Sequence, residues 1–140
     1  MVINYKKLNL FTKTDNYFFS NREVLINLFK TKKYFSKFDY KLRFWQIKMA
    51  EGSIKYTEFS TLQGFYEWIV MPFGLKNAPQ IFQRRMDNAF KYLNSLLVVY
   101  VDDILISSKT LKEHREHLKT FVETTIKERI CLSEKKATIE

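Results

Sequence analysis

Leu96-Leu97-Val98-Val99-Tyr100-Val101-Asp102-Asp103-Ile104-Leu105-Ile106 sets two adjacent carboxylates between two runs of β-branched and aliphatic residues. Short apolar runs of this kind, interrupted by a turn former, predict two buried strands joined at a tight turn. The turn has no Gly or Asn to accept positive φ, so backbone comfort alone does not explain its residues. Like charges side by side cost stability unless a cation lies between them, and a two-metal phosphoryl-transfer site needs such an arrangement. A solvated β-turn is the other reading of a bare Asp-Asp pair; the Tyr-x-Asp-Asp setting between strands favours the functional one.

A chain of 140 residues makes one domain or most of one. Hydrophobic residues are 46% and aromatics 16%, enough for a core and against global disorder. The net charge of +9 predicts a polyanionic partner, nucleic acid before membrane surface, with a lysine-rich solubility coat as the plain alternative. The single cysteine, Cys131, rules out an internal disulfide and fits a reducing compartment. Two histidines, His114 and His117, with one cysteine make no credible zinc site. No apolar run reaches membrane-spanning length and the N-terminus is not a signal peptide, so a soluble chain in the cytoplasm or elsewhere inside the cell is expected.

Residues 1–14 read as a short apolar alternation with no cap to mark a domain start, which predicts an upstream segment. Asn21 is placed to cap a short helix with Leu25, Leu28 and Phe29 on one face, ending in Lys30, Lys32 and Lys33. Tyr34 to Asp39 reads as a strand ending on a carboxylate, and Phe44 to Met49 alternates like a half-buried strand. Glu51-Gly52 and Gln63-Gly64 predict turns on either side of a strand through Tyr56 to Phe59, and Phe65 to Val70 follows as another. Met71 to Pro79 reads as a loop entering a helix, with Pro79 in the first turn and Phe82, Met86, Ala89, Phe90 and Leu93 as its apolar stripe. After the hairpin, Thr110 and Glu113 form a capping box for a helix to about Arg129, with Leu111, Leu118, Phe121, Val122 and Ile126 as its apolar residues. Ile130 to Leu132 could start a strand, and Glu134 to Ala137 reads as a turn or exposed stretch. This order predicts an α+β fold with helices on one face of a sheet.

Three motifs occur in order: Phe35-Ser36-x-x-Asp39, then Met71-Pro72-Phe73-Gly74-Leu75-Lys76-Asn77-Ala78-Pro79-x-x-Phe82-Gln83, then Tyr100-Val101-Asp102-Asp103. Together they resemble the polymerase domain of a reverse transcriptase, most closely that of plant pararetroviruses of the caulimovirus and badnavirus group, with gypsy-like long-terminal-repeat retrotransposons next. The resemblance covers essentially the whole chain. It implies a palm, a ferredoxin-like antiparallel sheet with helices on one face, at 15–45 and 77–140. It also implies partial fingers at 1–14 and 46–76, with Tyr5 to Asn9 as the inner fingers strand, and no thumb, connection or RNase H region.

The resemblance further implies RNA-directed DNA polymerase activity, with two Mg²⁺ ions (or Mn²⁺), a template–primer of RNA or DNA, and deoxynucleoside triphosphates, within a longer polyprotein. Joining a nucleotide to a primer 3′-hydroxyl needs two divalent ions, and carboxylates are suitable hard ligands. By resemblance Asp39 and Asp102 bridge the metals, Asp103 assists, and the Tyr40 carbonyl adds a ligand. Phe44 corresponds to the aromatic under the sugar, with plain core packing as its alternative. Arg43, Phe73 and Gly74 fall in the nucleotide pocket. Tyr100, Pro79, Gln83 and Arg84 fall at the template–primer, with Arg85 beside them; a solvated helix face is the alternative for the two arginines.

Departures from the family pattern bear on activity. Leu42 and Arg43 stand where the family has Ser-Gly, Glu58 where it has Ala, and Leu62 where this branch often has Pro. An Arg side chain would occupy space that the small residue leaves for the triphosphate. The expectation is a fingers–palm fragment of a decaying integrated element, inactive in isolation. The alternative is a non-catalytic, basic nucleic-acid-binding relic with the same fold. A structural protein unrelated to polymerases would need all three motifs in register by accident.

Overall fold

The computed structural model describes residues 3–18, 29–100, 102–133 and 138–139. Its contacts divide the chain into two units, 1–17 with 42–82 and 18–41 with 83–140. The sequence-based boundaries were 14/15, 45/46 and 76/77.

The second unit is built on a four-stranded antiparallel sheet whose strands lie in the spatial order Leu97–Tyr100, Asp103–Ser108, Tyr34–Asp39, Thr138–Ile139. Its strands are β1 (Tyr34–Asp39), β4 (Leu97–Tyr100), β5 (Asp103–Ser108) and β6 (Thr138–Ile139). β4 and β5 form the expected hairpin, with Tyr100 facing Asp103 and Val99 facing Ile104. β1 lies antiparallel to β5 in the register Ser36–Ile106, Phe38–Ile104, Asp39–Asp103. Because side chains alternate along a strand, Ser36, Phe38, Val99, Ile104 and Ile106 share one face and Lys37, Asp39, Tyr100 and Asp103 the other. The first face carries the core: Ile104 and Ile106 are fully buried, and Phe38 packs on Phe121 of the helix Leu111–Lys127 with ring centroids 4.9 Å apart. Phe90, just beyond the helix Ala78–Ala89, also packs on Phe121, ring centroids 5.7 Å apart. The stripe expected on that helix is buried throughout, from Phe82 to Leu93.

The helix Leu111–Lys127 starts on the expected cap, the Glu113 N–H donating to Thr110 Oγ1 at 3.2 Å. Of the expected apolar residues only Phe121 is fully buried. His114, Phe121 and Thr125 are buried, whereas Leu111, Val122 and Ile126 are exposed. The polar residues are admitted because they have partners. His114 bonds Ser36 Oγ and Ser108 Oγ at 2.8 Å each, and Thr125 Oγ1 donates to the Val122 carbonyl.

In the first unit, four strand expectations are corrected. Tyr5 to Asn9, expected as a strand, lies in and before the helix Lys6–Phe11. Tertiary bonds at helical spacing decide this: the Tyr5 hydroxyl donates to the Thr57 carbonyl, and the Asn9 amide bonds Gly74 and Lys76. Phe44 to Met49 is a 3₁₀ turn, Arg43–Gln46, followed by a bridge from Lys48 to Val70. Positive φ at Leu42 and Arg43 bends the chain there. Glu51, expected in a turn, opens the helical segment Glu51–Ile54, so the strand resumes only at β2 (Phe59–Thr61), paired with β3 (Gly64–Tyr66). Phe65 to Val70 is strand only through Tyr66. Ile130 to Leu132 forms a single bridge, Leu132 to Tyr40. The helix expected from Asn21 and the stretch Glu134 to Ala137 lie largely or wholly outside the described residues.

Candidate active site

Asp39 ends β1, and the chain around it is held from both edges. On one side β5 opposes Asp39 to Asp103. On the other, the Ser133 N–H donates to the Asp39 carbonyl at 2.8 Å and the Lys41 N–H to the Cys131 carbonyl at 2.9 Å. Asp39 is only 7% exposed. Directly opposed residues of an antiparallel pair have Cα atoms about 4.5–5.5 Å apart, so the two carboxylates occupy neighbouring positions on one sheet face. Asp102 is the residue before Asp103, in the turn between β4 and β5.

Like charges directly across a strand pair repel. A cation answers them: Lys37 Nζ lies 2.9 Å from Asp103 Oδ2, both side chains about half exposed. Lys37 is two residues before Asp39 and therefore on the same face, diagonal to Asp103 and within reach of a long side chain. Tyr40, the next residue, is buried, and its phenol is held far above its usual pKa, first by burial and then by the nearby carboxylates Asp87 and Asp102.

The helix Ala78–Ala89 supports the hairpin through Gln83. The Gln83 amide donates to Asp87 Oδ1 at 2.8 Å and to the Val99 carbonyl at 3.2 Å, three residues before Asp102. Gln83 is 2% exposed, so its expected approach to phosphates is corrected: in this conformation the side chain braces β4 from within. Arg85 pairs with Glu128 at 3.0 Å, while Arg84 and Tyr100 lie on the surface.

In the first unit Phe44 packs against Phe73 and Phe82, ring centroids 5.2 and 5.7 Å away, in the aromatic cluster that was its plain alternative. Leu42 and Arg43 have φ of +60° and +31°. Gly74 has φ +94°, a conformation that favours glycine. Pro79 lies in the first turn of its helix, as read from the sequence. Among the described residues no group of three or more His, Cys, Asp or Glu side chains is arranged to hold a metal ion.

The whole sequence, residues 1–140, matches the family described as reverse transcriptase (RNA-dependent DNA polymerase). The chain belongs to the reverse transcriptase family. It is 45% identical over 139 residues to Polyprotein P3 of Commelina yellow mottle virus, covering 99% of this chain and 7% of that one. To the enzymatic polyprotein of cauliflower mosaic virus (strain Strasbourg) it is 45% identical over 137 residues, covering 98% of this chain and 20% of the relative. The chain thus spans a fifth or less of the length of these relatives. Among solved structures, the foamy viral protease-reverse transcriptase dRH in complex with double-stranded DNA shares the fold, with a TM-score of 0.90 and 24% identity over 99% of this chain and 24% of that one.

Within this reverse transcriptase sequence, the reading by motif overlooked Lys37 and Asp87. Lys37 carried a usable signal, since a cation two residues before a strand-end carboxylate lies on its face. Asp87 carried one too, as the acceptor one helical turn from Gln83.

Proposed function

We propose that Asp39, Asp102 and Asp103 hold the divalent cations of RNA-directed DNA synthesis, within the palm portion formed by 18–41 and 83–140, with 1–17 and 42–82 as part of the fingers. The observation that carries this reading is the register opposing Asp39 to Asp103 in a chain of the reverse transcriptase family. The donor set fits the group: carboxylate oxygens are hard ligands and suit Mg²⁺, with Mn²⁺ as the alternative. Bound there, two such ions would activate the primer 3′-hydroxyl and neutralise the leaving pyrophosphate. The chain's own residues fix the site. β5 and the segment 131–133 hold the Asp39 backbone, and Gln83 steadies the hairpin through Val99. The Tyr40 carbonyl is a further oxygen donor, while its phenol stays neutral. Phe44, Phe73 and Gly74 are assigned to nucleotide binding, and Tyr100, Pro79 and Arg84 to template–primer contact, by their places in the family motifs. Foamy viral protease-reverse transcriptase has been solved with an RNA/DNA hybrid and with double-stranded DNA, and a net charge of +9 suits the same class of partner here.

A second reading, a nucleic-acid-binding relic without catalysis, is favoured by one observation. Leu42 and Arg43 stand in positive-φ conformations, which suit glycine, at positions where the family has Ser-Gly. The Arg43 side chain adds bulk and charge at the nucleotide position.

Divalent-ion binding by the 140-residue chain tests the carboxylate reading. In a Mn²⁺ titration followed by the electron paramagnetic resonance of the free ion, the chain binds Mn²⁺ and Asp39→Asn loses most of that binding. Equal binding by both, or none by either, counts against it.

A further inference from the structure

Lys37 fills an unspecified position of the first family motif, Phe35-Ser36-x-x-Asp39, yet it makes the ion pair with Asp103. Three features define its setting. Asp39 and Asp103 oppose each other across β1 and β5, the arrangement in which like charges destabilise a strand pair. Asp39 is buried and its backbone is tied on both sides, so it cannot easily move away from Asp103. Lys37 shares their sheet face and lies on the diagonal, with its ammonium 2.9 Å from Asp103 Oδ2.

We propose that Lys37 is a built-in counter-ion of the carboxylate site, a positioning residue that neutralises Asp103 in the metal-free chain and is displaced when a divalent cation binds. This rests on the reading of Asp39, Asp102 and Asp103 as cation ligands. An ammonium and a divalent cation seek the same oxygens, so Lys37 does two opposite things. It lowers the repulsion that would otherwise act between the opposed strands, and it competes with the metal for Asp103. The pair is about half exposed, so it is weak and exchanges readily, as a displaceable counter-ion must. Lysine suits the role better than arginine would in one respect: its single compact charge sits on a flexible stem and can swing into solvent.

The test uses the 140-residue chain and two readouts, Mn²⁺ affinity and the urea midpoint without metal. Lys37→Met removes the charge and keeps most of the stem. It is expected to bind Mn²⁺ about two- to fivefold more tightly, the scale of one half-exposed ion pair, while its metal-free urea midpoint falls. Lys37→Arg keeps the charge and stays near the original chain in both. In an Asp103→Asn background, Lys37→Met changes neither, because the partner is gone. Unchanged or weaker Mn²⁺ binding by Lys37→Met, in a chain whose binding Asp39→Asn removes, overturns the role of Lys37 and leaves the carboxylate reading standing. Mn²⁺ binding that is lacking altogether, or indifferent to Asp39→Asn, overturns the carboxylate reading and Lys37's role with it.

Discussion

Leu42 and Arg43 carry φ of +60° and +31°, a region that costs an L-residue with a side chain roughly 1–2 kcal/mol. Glycine pays no such cost, so Arg43→Gly is expected to stabilise the chain by about 1 kcal/mol, after allowance for the greater freedom of glycine in the unfolded state. A urea titration reads this directly; a fall in midpoint would mean that Arg43 makes contacts worth more than the relief of its backbone. At this scale the strand-end and hairpin positions of the carboxylates were legible in the sequence. Two adjacent Asp between apolar runs, and an Asp closing an aromatic-rich strand, are local patterns. Lys37's ion pair was not, because it exists only once the register between β1 and β5 is fixed. Gln83 misled for the opposite reason. A polar residue on a helix reads as solvent-facing, and only the approach of the Val99 carbonyl gives its amide a buried partner.

Among the elements, the helix Leu111–Lys127 shows most clearly where pattern reading stops. Its cap was readable, but its buried face runs through His114, Phe121 and Thr125 rather than the aliphatic residues. Each ring nitrogen of His114 is 2.8 Å from a serine hydroxyl, and Ser108 Oγ is also 2.8 Å from His117 Nδ1. A neutral imidazole needs one donor and one acceptor, and the two hydroxyls can supply them. Protonated, the ring would have to donate to both while surrendering its remaining solvation. Burial first, and the neighbouring His117 second, lower the His114 pKa from its ordinary 6.5, with Glu113 opposing. The unfolded chain therefore takes up more protons than the folded one below about pH 6.5, and stability should fall on acidification from that point toward the folded pKa. Urea midpoints from pH 7.5 down to 5.5 should decline, and His114→Gln should flatten the slope; a slope unaffected by the substitution would remove His114 as its cause. The helix Lys6–Phe11 was misread as a strand for a related reason. Its Tyr5 and Asn9 bonds reach residues 57, 74 and 76, contacts that a local alternation does not show.

At the scale of the whole molecule, family membership and the antiparallel sheet were within reach of the sequence because three short motifs stood in order, and the four-stranded sheet brings Asp39 and Asp103, from two of them, to one face. The short helical segments in 42–57 were not, since they depend on positive φ and on packing among Phe44, Trp45, Trp68 and Phe73. On the proposed function, Asp39, Asp102 and Asp103 carry nucleotidyl transfer and Leu42 and Arg43 obstruct it. The most direct test replaces the corresponding segment of the cauliflower mosaic virus enzymatic polyprotein with this chain and measures single-nucleotide incorporation on an RNA template with a DNA primer in Mg²⁺. The graft should be inactive as it stands, gain incorporation with Leu42→Ser and Arg43→Gly together, and lose it again when Asp102→Asn is added. Incorporation that survives Asp102→Asn in the repaired graft would contradict the claim.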